Sequence, residues 1–373
     1  MFLALKEFAH SKMRFFMITI IFVLTAWLVF ILSGLGNGLS TLAASTFQNM
    51  DADYVIFEQG SQSSMSKSLL SNQLAVKAEQ LPNVTATSPM GISMTTARKG
   101  ESNRNEDKVD IAIIGINPGS FLEPRFVAGH GLSPDKPDGV IVNETLQDKG
   151  FQLGDTFQLD GSMESLTIVG FVENQTYNHV ASVFTSLSEW RKIAFAAPGS
   201  DKGIPDPVNA IMLQGKDIRP SDIDANLPGT DTVTRGAATQ GLPGYKEENG
   251  SIIMMLAFLL TISAFVLGVF FYVITMQKTH QFGIMKAIGA TNGFLGRVIL
   301  SQVFVLSLSS IVVGILLTYG TAAVMPKEMP FKLSVDLVIV YSVILLVIAL
   351  LSSLISVRRI TKIDPLQALG RVE

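Results

Sequence analysis

The amino-acid sequence predicts a membrane α-helical protein with four transmembrane helices and an α+β extracytoplasmic domain inserted between the first and second. Hydrophobic residues make up 48% of the 373 residues, charged residues only 16%, and the mean hydropathy is +0.39. Soluble globular proteins rarely show this balance. Four stretches without a charged residue account for it: residues 15 to about 35, 252–276, 298–325 and 337–357. Each exceeds the roughly 18 apolar residues that indicate a membrane-spanning helix.

Basic residues flank these spans at three places: before the first, between the second and third, and after the fourth. The positive-inside rule predicts that all three places, and both termini with them, are cytoplasmic in a bacterial cell membrane (inner or plasma). Residues 41–250 carry 26 acidic and 16 basic side chains, a net charge of −10. An acidic extracytoplasmic domain argues against nucleic acid as a partner. The chain has no cysteine, so packing without disulfides must hold this domain together.

These observations divide the chain into nine predicted segments. They are a cytoplasmic amphipathic helix (1–14), the first span with a stalk (15–50), the extracytoplasmic α+β domain (51–244), a stalk with the second span (245–276), a cytoplasmic loop or helix (277–297), the third span (298–325), an external loop (326–336), the fourth span (337–357) and a cytoplasmic tail (358–373).

The hydrophobic pattern changes after the first span. Short β-branched runs bounded by Gly, Pro, Asn and Asp predict strands: DYVIF, KVDIAIIGI, GVIVN, DTFQL and SLTIVGFV. Between them, SLLSNQLAVKAEQL and VNETLQDKG have helical spacing. Residues 196–209 and 226–244 are rich in Gly and Pro and are predicted as loops. The pattern is that of an α+β domain.

Gly34 and Gly38 stand four residues apart near the outer end of the first span. Such a pair lets two helix backbones approach closely, which favours contacts between helices in the membrane. One interpretation is a contact between the first helices of a homodimer. An intramolecular contact or a helix break explains the pair equally well.

The connection between the second and third spans is short and basic, with no acidic residue. The spacing of Phe282, Ile284, Met285 and Ile288 predicts that they lie near one face of a short helix. Gly289 then fits the end of that helix. Such a helix at the inner membrane surface could bind a cytoplasmic partner, or could simply anchor the bundle at the interface.

The run FFYVITMQKTHQFGIMKAIGATNGFL and the C-terminal RRITKIDPLQALG resemble the permease subunits of MacB/FtsX-type (type VII) ABC transporters. FFYVITMQK, GIMKAIG, MPKEMPFKL and DPLQALG are most similar to the HrtB-type haem exporter permeases, with their DevC relatives. The resemblance implies a homodimeric permease that recruits two copies of a separate ABC ATPase, which binds the ATP. It also implies that the basic connection is the coupling helix, with these residues at the ATPase: Phe282, Gly283, Ile284, Lys286, Ile288 and Gly289.

The resemblance further makes haem the lead candidate for the transported ligand, and no intrinsic cofactor is expected. Residues of the types that hold haem lie at the head of the second span and in ENQTYNHVASV, just after a predicted strand. The candidates are Glu248, Tyr245, Tyr177, Met254 and Met255, with His179 close to Tyr177. Simpler roles are also open: interfacial tyrosines anchor membrane proteins, and methionine pairs fill cores.

No chemical motif favours an enzyme. Gly215-Lys216 is followed by Asp217, so the sequence has no phosphate-binding loop, and the four histidines lack the spacing of a metal site. The expected function is export of a hydrophobic or amphiphilic substrate, with haem as the lead candidate. The alternative is a mechanotransmitter that moves no substrate and regulates an extracellular enzyme or lipoprotein release. A sensor partner of a two-component system is a weaker option, and the need for an extracellular adaptor is left open.

Overall fold

The computed structural model describes residues 12–99, 108–160, 165–326 and 329–361. The chain forms two compact units. The helical unit comprises Met1–Gly38 and Asn249–Glu373, and the α+β unit comprises Leu39–Glu248. Most of the predicted cytoplasmic helix (1–14) and tail (358–373) lies outside the described residues.

The helices, in chain order, are α1 (Lys12–Asn49), α2 (Gln73–Glu79), α3 (Thr145–Asp148), α4 (Leu187–Ala194), α5 (Pro220–Asn226), α6 (Arg235–Gln240), α7 (Tyr245–Gln277), α8 (Thr279–Ala287), α9 (Asn292–Val324) and α10 (Val335–Thr361). The strands are β1 (Tyr54–Glu58), β2 (Leu70–Ser71), β3 (Val84–Lys99), β4 (Lys108–Ile116), β5 (Phe126–Gly129), β6 (Gly139–Asn143), β7 (Thr156–Leu159), β8 (Ser165–Val172), β9 (Thr176–Tyr177), β10 (Val180–Ser186), β11 (Pro207–Val208), β12 (Ala210–Gly215) and β13 (Thr230–Thr234).

Four of the described helices are long and apolar enough to cross a membrane: α1, α7, α9 and α10. The predicted fold class is therefore confirmed. Close packing between them depends on small and hydroxyl side chains. A Cβ atom on Gly314 of α9 would lie 2.8 Å from the Cβ of Ala26 on α1. Trp27 of α1 donates a hydrogen bond to Thr321 of α9 over 3.1 Å, and Ser352 of α10 donates to the carbonyl of Ala264 on α7. Such contacts are typical of helix pairs in lipid.

The glycine pair of the first helix makes its close contact within the chain. A Cβ atom on Gly34 would collide with the ring of Phe331, and one on Gly38 would collide with the carbonyl of Pro330. The amide of Lys332 also donates to the carbonyl of Gly34 over 3.0 Å. The structure therefore shows the intramolecular alternative. A homodimer contact stays a prediction, and the space beside these glycines is already filled by the α9–α10 connection.

The α+β unit is built on one mixed sheet. Its strand order is β13-β1-β12-β3-β4-β10-β6-β8-β5, with β7 pairing β3 and β8, and β9 pairing β10. The β4–β10 and β6–β8 pairs are parallel, and the other pairs are antiparallel. All five predicted strand segments are strands in the structure. The loop prediction for 226–244 is wrong, because the β-branched run Thr230–Thr234 pairs with β1 and is followed by α6.

Both faces of this sheet are buried. Along β4, Ile111 and Ile113 face one apolar cluster while Ala112, Ile114 and Ile116 face the other. Helices α2, α4 and α5 cover the first cluster, and α6 and the end of α1 cover the second. Alternating side chains that are apolar on both faces are expected for a strand in the middle of such a layered sheet.

Trp190 of α4 is the largest fully buried side chain of the first cluster. Its indole lies on Gly91 of β3 and Gly115 of β4, where a Cβ atom on Gly115 would come within 2.5 Å of the Trp190 Cβ. The indole N–H donates to Ser93 over 3.0 Å. The two glycines therefore leave the flat surface on which the indole packs.

Candidate functional site

Glu248, at the start of α7, pairs with His179 in the α+β unit. Nε2 of His179 lies 3.2 Å from Oε2 of Glu248, and the two side chains are 41% and 29% exposed. An imidazole and a carboxylate are thus held together where solvent reaches both. Sequence reasoning noted each residue separately but could not pair them, because no spacing rule links positions so far apart in the chain.

A tight turn positions His179. Tyr177 of β9 pairs with Val180 of β10, which leaves Asn178 and His179 as a two-residue turn with φ of 49° and 66°. Positive φ at both central residues is the type I′ geometry of tight hairpins. The amides of Asn178 and His179 donate to the carbonyls of Ala43 and Leu42 on α1, over 2.8 and 3.1 Å. The backbone from which His179 projects is therefore held against α1.

The strand before this turn is also held by α1. The hydroxyl of Ser45 accepts from the amide of Thr176 over 2.8 Å, and the two hydroxyls lie 2.7 Å apart. Thr46 shares a further hydrogen bond of 2.8 Å with Ser182 of β10. These buried polar groups satisfy one another, so the end of α1 and the hairpin form one hydrogen-bonded assembly.

Tyr245 lies beside this assembly and is only 7% exposed. Its hydroxyl shares a hydrogen bond of 2.9 Å with Ser40 and lies 3.4 Å from the amide nitrogen of Gln48. The side chain thus links the first turn of α7 to α1. The Tyr245 hydroxyl is already hydrogen-bonded to Ser40, so the predicted contact of Tyr245 with substrate would require this hydrogen bond to break.

Tyr177 is 3% exposed and packs against Phe47, with ring centroids 6.0 Å apart. Burial raises the pKa of the Tyr177 phenol to about 12, because the charged phenolate would lose its hydration. In this conformation Tyr177 is a neutral core side chain. Its predicted role as a substrate ligand stays a prediction. In the structure, Tyr177 contributes to the packing of the core.

Met254 and Met255 belong to the helical unit and lie on α7. They are 54% and 47% exposed. Exposed apolar side chains on a membrane-spanning helix are those that lipid or a partner helix can cover. Their predicted contact with substrate stays a prediction. Among the described residues, no group of three or more His, Cys, Asp or Glu side chains is arranged to hold a metal ion.

The basic connection after α7 forms the nine-residue helix α8. Gly289 has φ of +99°, the amide of Ala290 donates to the carbonyl of Met285, and that of Gly289 donates to Lys286. These two hydrogen bonds and the left-handed glycine are a Schellman motif. The predicted role of Gly289 in ending this helix is confirmed.

The prediction that the apolar residues of this helix share one face is wrong for Phe282. Phe282 is 4% exposed, and it lines a small internal space with side chains of α7 and α9. Ile284 and Ile288 are 41% and 80% exposed. Residues i and i+2 of an α-helix point in directions about 200° apart around the helix axis. Phe282 and Ile284 therefore point to nearly opposite sides of α8. Phe282 anchors the helix to the bundle, and Ile284 and Ile288 form its apolar outer face.

The family model "MacB-like periplasmic core domain" matches residues 15–225, more than half of the chain. The model "FtsX-like permease C-terminal" matches residues 253–365. The chain belongs to the MacB/FtsX family of permeases. It is accordingly an ABC transporter permease and a multi-pass membrane protein.

Several proteins resemble the permease over their whole length. The "putative hemin transport system permease protein HrtB" of Staphylococcus haemolyticus is 28% identical over 371 residues, covering 100% of this chain and 99% of the relative. An uncharacterized ABC transporter permease of Mycobacterium tuberculosis is 26% identical over 374 residues, covering 99% of both. The crystal structure of the periplasmic region of MacB from Actinobacillus actinomycetemcomitans superposes with a TM-score of 0.38 at 14% identity, covering 51% of the permease and 92% of that chain.

Proposed function

We propose that the permease exports haem, or a similar amphiphilic compound, with energy from ATP hydrolysed by a separate ATPase subunit. Full-length similarity to proteins named as hemin transport permeases supports this substrate class. The sequence has no phosphate-binding loop, so ATP would be bound by the partner.

The observation that carries the haem proposal is the His179–Glu248 pair. Imidazole is a common axial ligand of haem iron, and a partly exposed carboxylate beside it can accept a proton or bind the iron. Both side chains are accessible in the structure, whereas the phenols of Tyr177 and Tyr245 are buried. We therefore assign first contact with the haem iron to His179 and Glu248, with Tyr245 becoming available when its hydrogen bond to Ser40 opens.

The proposed energy coupling uses α8. The permease would act as a homodimer with two ATPase copies, and both termini and α8 would face the cytoplasm. Ile284 and Ile288 supply an exposed apolar face next to Lys286, which suits a groove on a protein partner. Phe282 ties this helix to α7 and α9, so a force applied to α8 would move the bundle by mechanotransmission. Substrate would leave laterally from the outer leaflet.

Absorbance titration with haemin tests the assignment. The full-length permease in nanodiscs should give a shifted haem absorption band that saturates. The double variant H179A/E248A should lose most of that shift, and E248A/Y245A should lose part of it. The matched control H130A/E79A removes an exposed histidine and an exposed glutamate elsewhere in the α+β unit. Equal titrations for H179A/E248A and the control would remove the pair from the proposal.

A second function is favoured by one observation. Phe126 and Val127, on the edge strand β5, are 49% and 54% exposed, and adjacent exposed apolar residues often mark protein contacts. A mechanotransmitter that controls an extracellular enzyme or lipoprotein release would use such a surface. ATP-dependent haemin accumulation in inside-out vesicles with permease and ATPase supports export, and its absence alongside normal haemin-independent ATP hydrolysis supports the second function.

A further inference from the structure

The α+β unit contains a cleft that the proposed haem site does not use. It is an open cleft of about 680 Å³ between the end of α1, the segment that leads into β5, and the segment between β8 and β9. Ligand sites for drug-sized molecules typically occupy about 300–1,000 Å³. The cleft is therefore large enough for one small organic molecule.

One wall of the cleft is apolar and aromatic. Met50, Leu122 and Phe184 belong to the second apolar cluster of the sheet, and Phe121 packs against that cluster. The exposed side chain of Val127 completes the wall. Such a wall can cover the hydrocarbon or ring portion of a ligand. Aromatic faces also attract cations that approach them.

The charged lining is mostly acidic. Four charged residues line the cleft: Asp51, Glu123, Arg125 and Glu173. Asp51 and Glu173 are exposed. Glu123 is already engaged, because its two oxygens accept the amides of Gly119 and Leu132, each over 2.7 Å. Asp51 and Glu173 have no ion-pair partner among the described residues, and Arg125 is the one basic residue in the lining.

The negative charge of Glu173 also acts on Glu144, which does not line the cleft. Burial, followed by the charges of Glu173 and Asp148, raises the pKa of Glu144 above its ordinary value. Arg235, at the start of α6, donates to the carbonyls of Gln48 and Met50 at the end of α1. Its charge is thus used at the helix end, where it offsets the negative end of the helix dipole.

A side-chain amide also lines the cleft. Gln175 is 8% exposed. Its backbone amide donates to the side-chain oxygen of Asn143, and its carboxamide makes no hydrogen bond to another described residue. The carboxamide atoms are not among the fully buried polar atoms that lack a partner, so solvent in the cleft reaches them. A ligand with a hydrogen-bonding group in the cleft would bond to this amide in place of water.

We propose that this cleft binds a small amphiphilic cation, with its apolar body against Phe121 and Val127 and its cationic head beside Asp51 and Glu173. Gln175 accepts or donates the hydrogen bond that orients the molecule. Haem does not suit this site, because its propionates would face two carboxylates. The cleft is thus a ligand site of the α+β unit that is separate from the His179–Glu248 pair. Through it the permease binds a second class of compound.

Fluorescence anisotropy with tetramethylrhodamine ethyl ester, a fluorescent amphiphilic cation, tests the proposal on the full-length permease in nanodiscs. Empty nanodiscs set the baseline for dye that partitions into lipid, and the anionic dye fluorescein tests charge selectivity. The double variant D51N/E173Q should bind the cation about tenfold more weakly. The control D135N/E79Q removes the same charge from exposed positions outside the cleft and should bind it as the wild type does. Q175L should weaken binding about fivefold.

Equal affinity in both double variants, equal binding of fluorescein, or no signal above empty nanodiscs would each overturn the proposal. If D51N/E173Q fails to fold, the salt dependence of the wild type decides, because binding that two carboxylates support must weaken as salt screens them. Haemin titration of D51N/E173Q should match the wild type. The two proposals therefore fail separately: loss of cation binding leaves the haem site untouched, and the reverse also holds.

Discussion

Replacing the exposed apolar face of α8 should uncouple the permease from its ATPase without unfolding it. Burying a whole isoleucine side chain contributes about 1.5–3 kcal/mol. Ile288 is 80% and Ile284 is 41% exposed, so a partner could cover slightly more than one isoleucine in total. Alanine keeps only the Cβ atom, so we expect I284A/I288A to weaken ATPase binding by about 1.4–2.8 kcal/mol, which is about tenfold to a hundredfold.

Biolayer interferometry with immobilised permease nanodiscs and purified ATPase measures this change directly. The control I339A/V343A alters two residues of α10 that are also one helical turn apart and are 56% and 54% exposed. Both double variants should keep the thermal unfolding midpoint of the wild type, since exposed side chains contribute little to packing.

Two results would refute this reasoning. ATPase affinity within about twofold of the wild type for I284A/I288A would mean that this face is not the docking surface. An equal loss in I339A/V343A would mean that the effect arises from the bundle rather than from α8.

Three further predictions concern the α+β unit. Y177F should preserve both the thermal midpoint and the haemin spectrum, whereas Y177A should lower the free energy of unfolding by about 3–5 kcal/mol; a lost haemin spectrum in Y177F would instead make the phenol a ligand. G115A forces a methyl group within 2.5 Å of Trp190 and should cost about 1–3 kcal/mol in denaturant unfolding, while G236A, in α6 with open space around it, should be neutral or slightly stabilising. Hydrogen bonds from Lys108 and Lys99 lower the pKa of Asp160 and Asp155 below the ordinary 3.8; the stability that they contribute is complete above about pH 4 and lost as the pH falls through their lowered folded values, so D155N/D160N should flatten the acid limb of unfolding, and an unchanged limb would contradict this.

Local patterns predicted the elements of this fold well. The four uncharged spans each form one long helix. In lipid, a helix lets a single segment form all the hydrogen bonds of its backbone N–H and C=O groups internally. The β-branched run KVDIAIIGI predicted β4, whose successive side chains face opposite clusters in the structure. The loop prediction for 226–244 failed because Gly and Pro flank Thr230–Thr234 and masked a strand whose stability comes from pairing with β1.

The candidate site was predicted less completely. Residue types and the resemblance selected Tyr177, Tyr245 and Glu248, but they could not tell a buried phenol from an accessible carboxylate. Burial of Tyr177 against Phe47 depends on α1, which lies far earlier in the chain. The pairing of Glu248 with His179 likewise depends on a turn that α1 holds in place.

By itself the sequence determined which segments are apolar enough to enter a membrane, which alternate as strands, and where Gly289 ends α8, because each of these depends on neighbours within a few residues. Only the tertiary structure decided that Gly34 and Gly38 contact Phe331 and Pro330, that Phe282 is buried while Ile288 is exposed, and that His179 meets Glu248. These contacts join residues distant in the chain, and packing of whole elements, rather than local periodicity, sets which of them meet.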